Sequence, residues 1–201
     1  MRKINIIILF LITVLSASAQ EKRWENTFYL GQGLILDYKN GDGEGGMSFV
    51  AGYGLSYRFS PHWSVMPGVA LRAVAEGAPA EHFDDGHDYD TFSFLDVPLL
   101  VRYHTGVSKR YFTFGFGPVL SFCTGNDTYY VDADPRSPLN NLKKCKTFSL
   151  GLQPTVSYQF ARHFSVGLDG YICLTNLKQH HGLTSGGIYI HSLTCRMAFN
   201  F

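Results

Sequence analysis

The feature that most constrains the fold is a two-residue alternation between large apolar side chains and small or polar ones. It is cleanest in residues 147–160, where every residue of one parity is Thr, Ser, Gly or Gln. The other parity consists of Phe148, Leu150, Leu152, Pro154, Val156, Tyr158 and Phe160. Successive side chains of a β-strand point to opposite faces, whereas the 3.6-residue repeat of a helix would mix the two sets. The pattern therefore predicts a strand.

Eight segments show this alternation, and each is about long enough to cross a bilayer as a tilted strand. They lie near residues 27–39, 47–59, 63–76, 91–104, 112–122, 147–160, 164–177 and 188–201. Short connections alternate with longer polar ones, as in outer-membrane barrels, where the short turns are periplasmic. The predicted fold is an all-β, eight-stranded antiparallel up-and-down transmembrane β-barrel.

The alternative is a soluble sandwich or a lipocalin-like barrel, whose strands also alternate. The two readings differ in which face is apolar. Here the polar face is small and glycine-rich, with Gly31, Gly33, Gly52, Gly54, Gly68, Gly115, Gly117, Gly151 and Gly167. A tight eight-stranded barrel has room for small residues inside and places bulky ones against lipid. Aromatic residues also cluster where strands meet short turns, which is typical of an interfacial girdle. The pattern favours the membrane barrel.

Residues 1–19 have the features of a secretory signal peptide. Arg2 and Lys3 precede an apolar run, and Ala17-Ser18-Ala19 supplies a cleavage site. A retained membrane anchor is the alternative, but the run is short for a spanning helix. We therefore expect a signal peptide at 1–19 and a barrel domain at 20–201, in the outer membrane of a Gram-negative bacterium.

The charge balance gives no reason to expect nucleic acid as a partner. The chain has 17 basic and 16 acidic residues, and removal of Arg2 and Lys3 leaves 15 against 16, a net charge of −1. No cofactor-binding motif is present in the sequence. The expected partners are outer-membrane lipid and a surface ligand at the long loops.

Three segments resemble known outer-membrane proteins. The ending Arg196-Met197-Ala198-Phe199-Asn200-Phe201 resembles the C-terminal signal that the outer-membrane assembly machinery binds. Residues 94–103 and 114–118, FLDVPLLVRY and FGFGP, resemble the PorT-like outer-membrane β-barrel domain family, a likeness that covers nearly all of the chain after residue 19. This resemblance implies a small barrel of the OmpA/OmpX size class in the outer membrane. It implies no single activity.

Charged residues of the inward parity are the first candidates for function. They are Asp37, Arg72, Asp96, Arg102, Asp169 and Arg196. Buried charges need partners, so we interpret them as a salt-bridge network that fills the lumen. Asp169 and Arg196 are predicted to lie nearly opposite each other in one hairpin. A narrow polar pore or gate is the alternative.

Four cysteines are consistent with an exported, oxidising setting. Cys123 and Cys145 share the inward parity and flank the third long loop, which predicts a disulfide at its base. Cys173 and Cys195 are equidistant from their loop centre but fall on opposite faces, and opposed residues must share a face. A bulge would reconcile the two observations; we expect a bond but leave free thiols open.

Loop residues suggest two other chemistries. The second long loop contains His82, Asp84, Asp85, His87, Asp88 and Asp90, but it lacks a calcium-loop spacing, so we expect no metal there. A lipid-modifying barrel enzyme would need Ser, His and an acid near the outer rim. The rim residues of this kind are His180, His181, Ser185, His191 and Ser192, without a nucleophile motif. The predicted function is non-enzymatic: membrane integrity, adhesion or partner binding, with a narrow channel as the alternative.

Overall fold

The computed structural model describes residues 23–39, 42–76, 89–106, 110–129, 146–177 and 188–201. Ten strand segments follow one another along these residues, and they are β1 (Trp24–Lys39), β2 (Asp42–Arg58), β3 (Trp63–Glu76), β4 (Tyr89–His104), β5 (Tyr111–Phe116), β6 (Pro118–Tyr129), β7 (Phe148–Leu152), β8 (Thr155–Gln159), β9 (Phe164–Cys173) and β10 (Ile188–Asn200). In the described part of the chain, no helix is long and apolar enough to cross a membrane. The predicted signal peptide, residues 1–19, lies outside the described residues.

These segments form eight barrel strands in a closed antiparallel ring. β5 and β6 together make the fifth barrel strand, while β7 and β8 make the sixth. β10 pairs with both β9 and β1, so the sheet closes on itself. Every strand N–H and C=O in lipid must find a partner, and closure satisfies those that an open edge would expose. The predicted fold is confirmed.

Two of the eight predicted strands are interrupted at proline-containing sites. The fifth is broken at Gly117, just before Pro118, and the sixth at Gln153 and Pro154. Proline has no N–H to donate to a ladder. The wall nevertheless stays closed here, because the Gln153 N–H donates to the Gly117 carbonyl and the Gly170 N–H to the Pro154 carbonyl, each at 2.8 Å. The seventh strand also ends at Cys173, four residues before the predicted Leu177.

The register of the ring fixes the tilt and width of the barrel. A path that follows opposite residues on neighbouring strands around the ring starts at Thr27 and returns to β1 at Asp37, ten residues further along the chain. The positions on this path are Thr27, Gly54, Gly68 (beside Pro98), Val119, Gly151, Cys173, Ile190 and Asp37. For eight strands, a shift of ten residues gives a tilt of about 40° and a backbone radius of roughly 8 Å. Such an interior is filled by side chains alone.

The two faces of the wall have the predicted chemistry. Outward positions expose large apolar side chains, among them Leu71, Leu99, Phe114 and Phe116, while the inward positions between them are buried. Near the short turns, aromatic rings pair across strands. The ring centres of Trp63 and Tyr103, for example, are 5.1 Å apart. An apolar exterior with aromatic rings at its border matches the lipid-facing surface of a membrane barrel.

Candidate functional site: the filled lumen

The middle of the lumen holds a buried arginine between a carboxylate and two aromatic rings. Arg72 Nε donates to Asp96 Oδ2 at 2.6 Å, and Arg72 Nη2 donates to Asp96 Oδ1 at 3.2 Å. Its guanidinium carbon lies 3.9 Å from the Tyr171 ring centre and 4.6 Å from that of Phe94. Both partners of the ion pair are almost completely buried. The sequence predicted a network of inward charges without assigning partners to these two, and the structure pairs Arg72 with Asp96 and adds the two rings.

A second ion pair lies beside the first. Arg196 Nη1 is 3.2 Å from Asp169 Oδ2, and the Arg196 guanidinium carbon is 5.2 Å from the Tyr29 ring centre. Asp169 is directly opposite Thr194, so the two charged residues meet across a two-residue diagonal rather than face to face. The prediction that they share a face and lie nearly opposite each other agrees with this geometry.

A small cavity lies beside the two pairs. It has a volume of about 30 Å³ and is lined by residues that include Arg72, Asp96, Asp169 and Tyr171. Arg72 Nη1 and Asp169 Oδ1 are buried and have no hydrogen-bond partner among the described residues. A water molecule needs roughly 10–15 Å³, so the cavity has room for about two. Its size excludes larger solutes.

Glycines of the inward face make room for the rings. A Cβ on Gly52 would collide with the Tyr29 ring, and one on Gly151 would approach the Tyr171 ring to within 2.6 Å. Real Cβ atoms do not approach other atoms this closely. The glycine-rich parity predicted a crowded interior. It did not reveal that two tyrosine rings fill the space that the glycines leave.

The periplasmic end of the lumen contains a hydrogen-bond network of neutral and charged side chains. His104 is fully buried, with Nε2 2.8 Å from Ser64 Oγ and Nδ1 2.9 Å from Thr113 Oγ1. Nearer the mouth, Arg58 Nη2 donates to Tyr111 Oη and lies 3.5 Å from Glu25 Oε2. Sequence reasoning missed this network, because hydroxyls on the inward parity were treated as filler.

Arg102 lies in the same half of the lumen and is 8% exposed. Its Nη1 donates to the thioether sulfur of Met66 at 3.1 Å, and no carboxylate of the described residues forms a salt bridge with it. The predicted network therefore does not include Arg102 as an ion-pair member. Asp37 lies in β1 opposite Ile190, and its side chain is outside the described part of the structure.

The extracellular half of the lumen contains a buried apolar cluster, which the prediction of a lumen filled by glycines, small polar residues and charges did not include. Its buried cluster consists of Ile35, Val74, Phe92, Phe94, Val119, Tyr171, Cys173, Leu177 and Ile190. In the strands, these residues have the inward parity, so the sequence contained the signal. This signal was missed because, over the whole chain, the inward face is much smaller and more polar than the outward face. This cluster and the ion pairs together occupy the described lumen above its periplasmic end.

The cysteines do not all pair as expected. Cys173 is buried inside the barrel and Cys195 is exposed on its outside, and both are free thiols. Their side chains point to opposite faces, and Cys195 is opposite Leu168 rather than Cys173. The expected bond between them is therefore absent. Cys123 donates its backbone N–H to the Thr147 carbonyl, whereas Cys145 lies outside the described residues, so the other predicted disulfide stays a prediction.

The candidate catalytic rim is not assembled in the part of the chain that the structure describes. His191 has the outward parity of β10, whereas Ser192 is buried on the inward side. His180, His181 and Ser185 lie outside the described residues, as do the side chains of the acidic second loop from His82 to Asp90. Among the described residues, no group of three His, Cys, Asp or Glu side chains has the geometry of a metal site.

A closed barrel with an apolar outside and a polar, charge-paired inside defines an integral outer-membrane β-barrel protein. Residues 18–179 match the model of the family described as outer membrane protein beta-barrel domain. The chain belongs to this family, and it is located in the outer membrane. No curated protein matches the chain at a significant level.

Several solved structures of small outer-membrane barrels are similar to this chain. Neisserial surface protein A is 11% identical, with 88% of this chain and 97% of that chain covered and a TM-score of 0.53. The outer membrane enzyme PagL is 12% identical, with 86% and 97% covered and a TM-score of 0.50. The attachment invasion locus protein Ail of Yersinia pestis is 11% identical, with 89% and 99% covered and a TM-score of 0.48. At these identities the likeness concerns the fold alone.

Proposed function

We propose that this protein is a non-enzymatic barrel with a plugged lumen, which holds its long extracellular loops at the cell surface for membrane integrity, adhesion or partner binding. The observation that carries the proposal is the content of the lumen. Two ion pairs, their aromatic neighbours and the apolar cluster lie inside a ring of roughly 8 Å backbone radius. A wall this narrow with an interior this full favours a scaffold over a diffusion pore.

Conductance of the purified protein in a planar lipid bilayer tests the plug. We expect no current steps above the lipid baseline in symmetric salt. The double variant Phe92→Ala/Phe94→Ala removes two rings from the apolar cluster and serves as the matched opened form. Regular current steps from the unmodified protein would instead support the runner-up, a narrow channel for small solutes, which is favoured by the small cavity beside the ion pairs.

The surface role is tested through the third long loop, whose sequence includes Arg136, Lys143 and Lys144. These cations suit anionic surface glycans. We expect the protein in vesicles to bind sulfated members of a glycan array, and the triple alanine variant of these residues to lose that binding. Equal binding by both proteins would contradict a role for this loop.

Three finer assignments belong to the same proposal. Membership of the PorT-like family is supported by residues 94–103 and 114–118 of the sequence. A contact with the outer-membrane assembly machinery is supported by the closing strand, where the Phe201 N–H donates to the Asn26 carbonyl at 3.0 Å. The non-enzymatic assignment is supported by the separation of His191 and Ser192 on opposite faces. A lipid-modifying barrel enzyme is the less favoured alternative.

A further inference from the structure

An uncharged polar side chain, Gln32, stands on the apolar outside of the barrel. It is exposed on β1 between Leu30 and Leu34, and its strand partners are Phe49 on β2 and Cys195 on β10. The Gln32 amide makes no hydrogen bond to another described residue. A primary amide carries two donors and an acceptor. On this face, no described residue of the barrel satisfies any of them.

The depth of Gln32 in the membrane follows from the register. Tyr103 belongs to the periplasmic aromatic border. The residues that lie opposite one another on neighbouring strands lead from it across five strand spacings through Phe114, Val156, Leu168 and Cys195 to Gln32. Five spacings of about 4.8 Å at a tilt near 40° raise Gln32 by roughly 15 Å along the barrel axis. The apolar band of such barrels is about 25 Å tall. Gln32 therefore lies inside the hydrocarbon layer.

The surroundings of Gln32 form a protruding aliphatic frame. Leu34 is 68% exposed, Met197 63%, Leu30 59% and Leu193 57%. Leu34 pairs with Leu193 and Leu30 with Met197, on either side of the Gln32–Cys195 pair. We call these six residues the β1–β10 patch. It places an amide and a thiol at the centre of four aliphatic side chains.

We propose that the β1–β10 patch is the interface of a homodimer in the membrane. Aliphatic side chains gain little by leaving lipid for protein, so association within a bilayer depends on packing and on hydrogen bonds. An amide is complementary to itself, because it donates and accepts. A two-fold axis through the patch brings Gln32 of each copy together and satisfies both amides, as an isologous contact requires. Acyl chains contain no hydrogen-bond donor or acceptor, so they cannot satisfy the Gln32 amide.

Cys195 provides a native reporter, since it is an exposed thiol directly opposite Gln32. Purified protein in dilute phosphatidylcholine vesicles is treated with the membrane-permeant oxidant copper(II)–phenanthroline, which oxidises neighbouring thiols to disulfides, and cross-linked peptides are mapped. We expect a peptide that joins Cys195 of one copy to Cys195 of another. The Gln32→Leu variant, which keeps the apolar frame, is expected to lower the dimerisation constant by about 3- to 20-fold, the range of single hydrogen bonds in membranes.

The matched control moves the thiol to the opposite wall. Leu120 is exposed on β6 at about the same depth as Gln32, so Leu120→Cys with Cys195→Ser offers a lipid-facing thiol outside the patch. Single-molecule photobleaching of dye-labelled protein in the same vesicles counts copies without any cross-link. A heat-dependent mobility shift on gels confirms that each variant is folded. Equal cross-linking at position 120, an unchanged Gln32→Leu variant, or a monomer in photobleaching would each overturn the proposal.

Discussion

Replacement of Asp96 by alanine would leave Arg72 charged and buried without its carboxylate. Arg72 is 4% exposed and donates two hydrogen bonds to Asp96, at 2.6 and 3.2 Å. Removal of one partner from a buried pair typically costs about 3–5 kcal/mol, because the remaining charge is uncompensated. The Tyr171 and Phe94 rings stay within cation–π distance of the guanidinium and stabilise it. We therefore expect a loss of about 3 kcal/mol in the free energy of unfolding.

The ion pair at the periplasmic mouth is the matched comparison. Arg58 and Glu25 are 3.5 Å apart, and their side chains are 21% and 20% exposed. Solvent screens such a pair, so Glu25→Ala is expected to cost at most about 1 kcal/mol. The double variant Arg72→Met/Asp96→Leu replaces the buried pair by apolar groups of similar volume, and we expect it to be close to neutral.

Urea unfolding in lipid vesicles, followed by tryptophan fluorescence, measures all three variants, since Trp24 and Trp63 both lie in the wall. We expect the free energy of unfolding to be much lower for Asp96→Ala than for Glu25→Ala, and that of the double variant to be close to the value of the unmodified protein. A Glu25→Ala loss that equals the Asp96→Ala loss would refute this expectation. So would a double variant as unstable as Asp96→Ala, because the cost would then come from lost packing.

Three further expectations follow from the same structure. A Cβ on Gly33 would collide with backbone atoms of β10, so Gly33→Ala is expected to reduce the folded yield seen as a heat-shifted gel band, whereas Gly125→Ala, with its nearest contact at 3.6 Å, is not. His104→Ala leaves two buried hydroxyls without a partner and is expected to lower the free energy of unfolding by about 2 kcal/mol in urea titrations. A non-reduced tryptic map is expected to show Cys123 joined to Cys145, and two separately alkylated Cys145 and Cys123 peptides would contradict that bond.

The sequence predicted the wall far better than the contents of the lumen. A period of two determines which face each residue joins, so the outward Phe114 and the inward Arg72 were both assigned correctly. Parity alone cannot give distances across the lumen, because these depend on tilt and shear. The stacking of Arg72 against Tyr171 was therefore not foreseen, nor was the absence of a salt bridge between Arg102 and a carboxylate of the described residues.

The cysteines show the same limit from another side. Spacing from a loop centre suggested a bond between Cys173 and Cys195, while parity argued against it. The structure follows parity: β9 and β10 pair without a register shift from Phe164–Phe199 to Tyr171–Ser192, and Cys173 is buried inside the barrel while Cys195 is exposed outside it. Strict alternation is thus a stronger constraint than loop symmetry, and it would have decided the question without coordinates.

The most direct test of a closed barrel in the outer membrane is the gel mobility of the protein from the outer-membrane fraction, with and without boiling. A ring in which β10 pairs with β1 resists detergent, so we expect the unboiled protein to migrate differently from the boiled one. A protein in the soluble periplasmic fraction, with the same mobility before and after boiling, would contradict the account. The exposed apolar face would then have to be buried in some other fold.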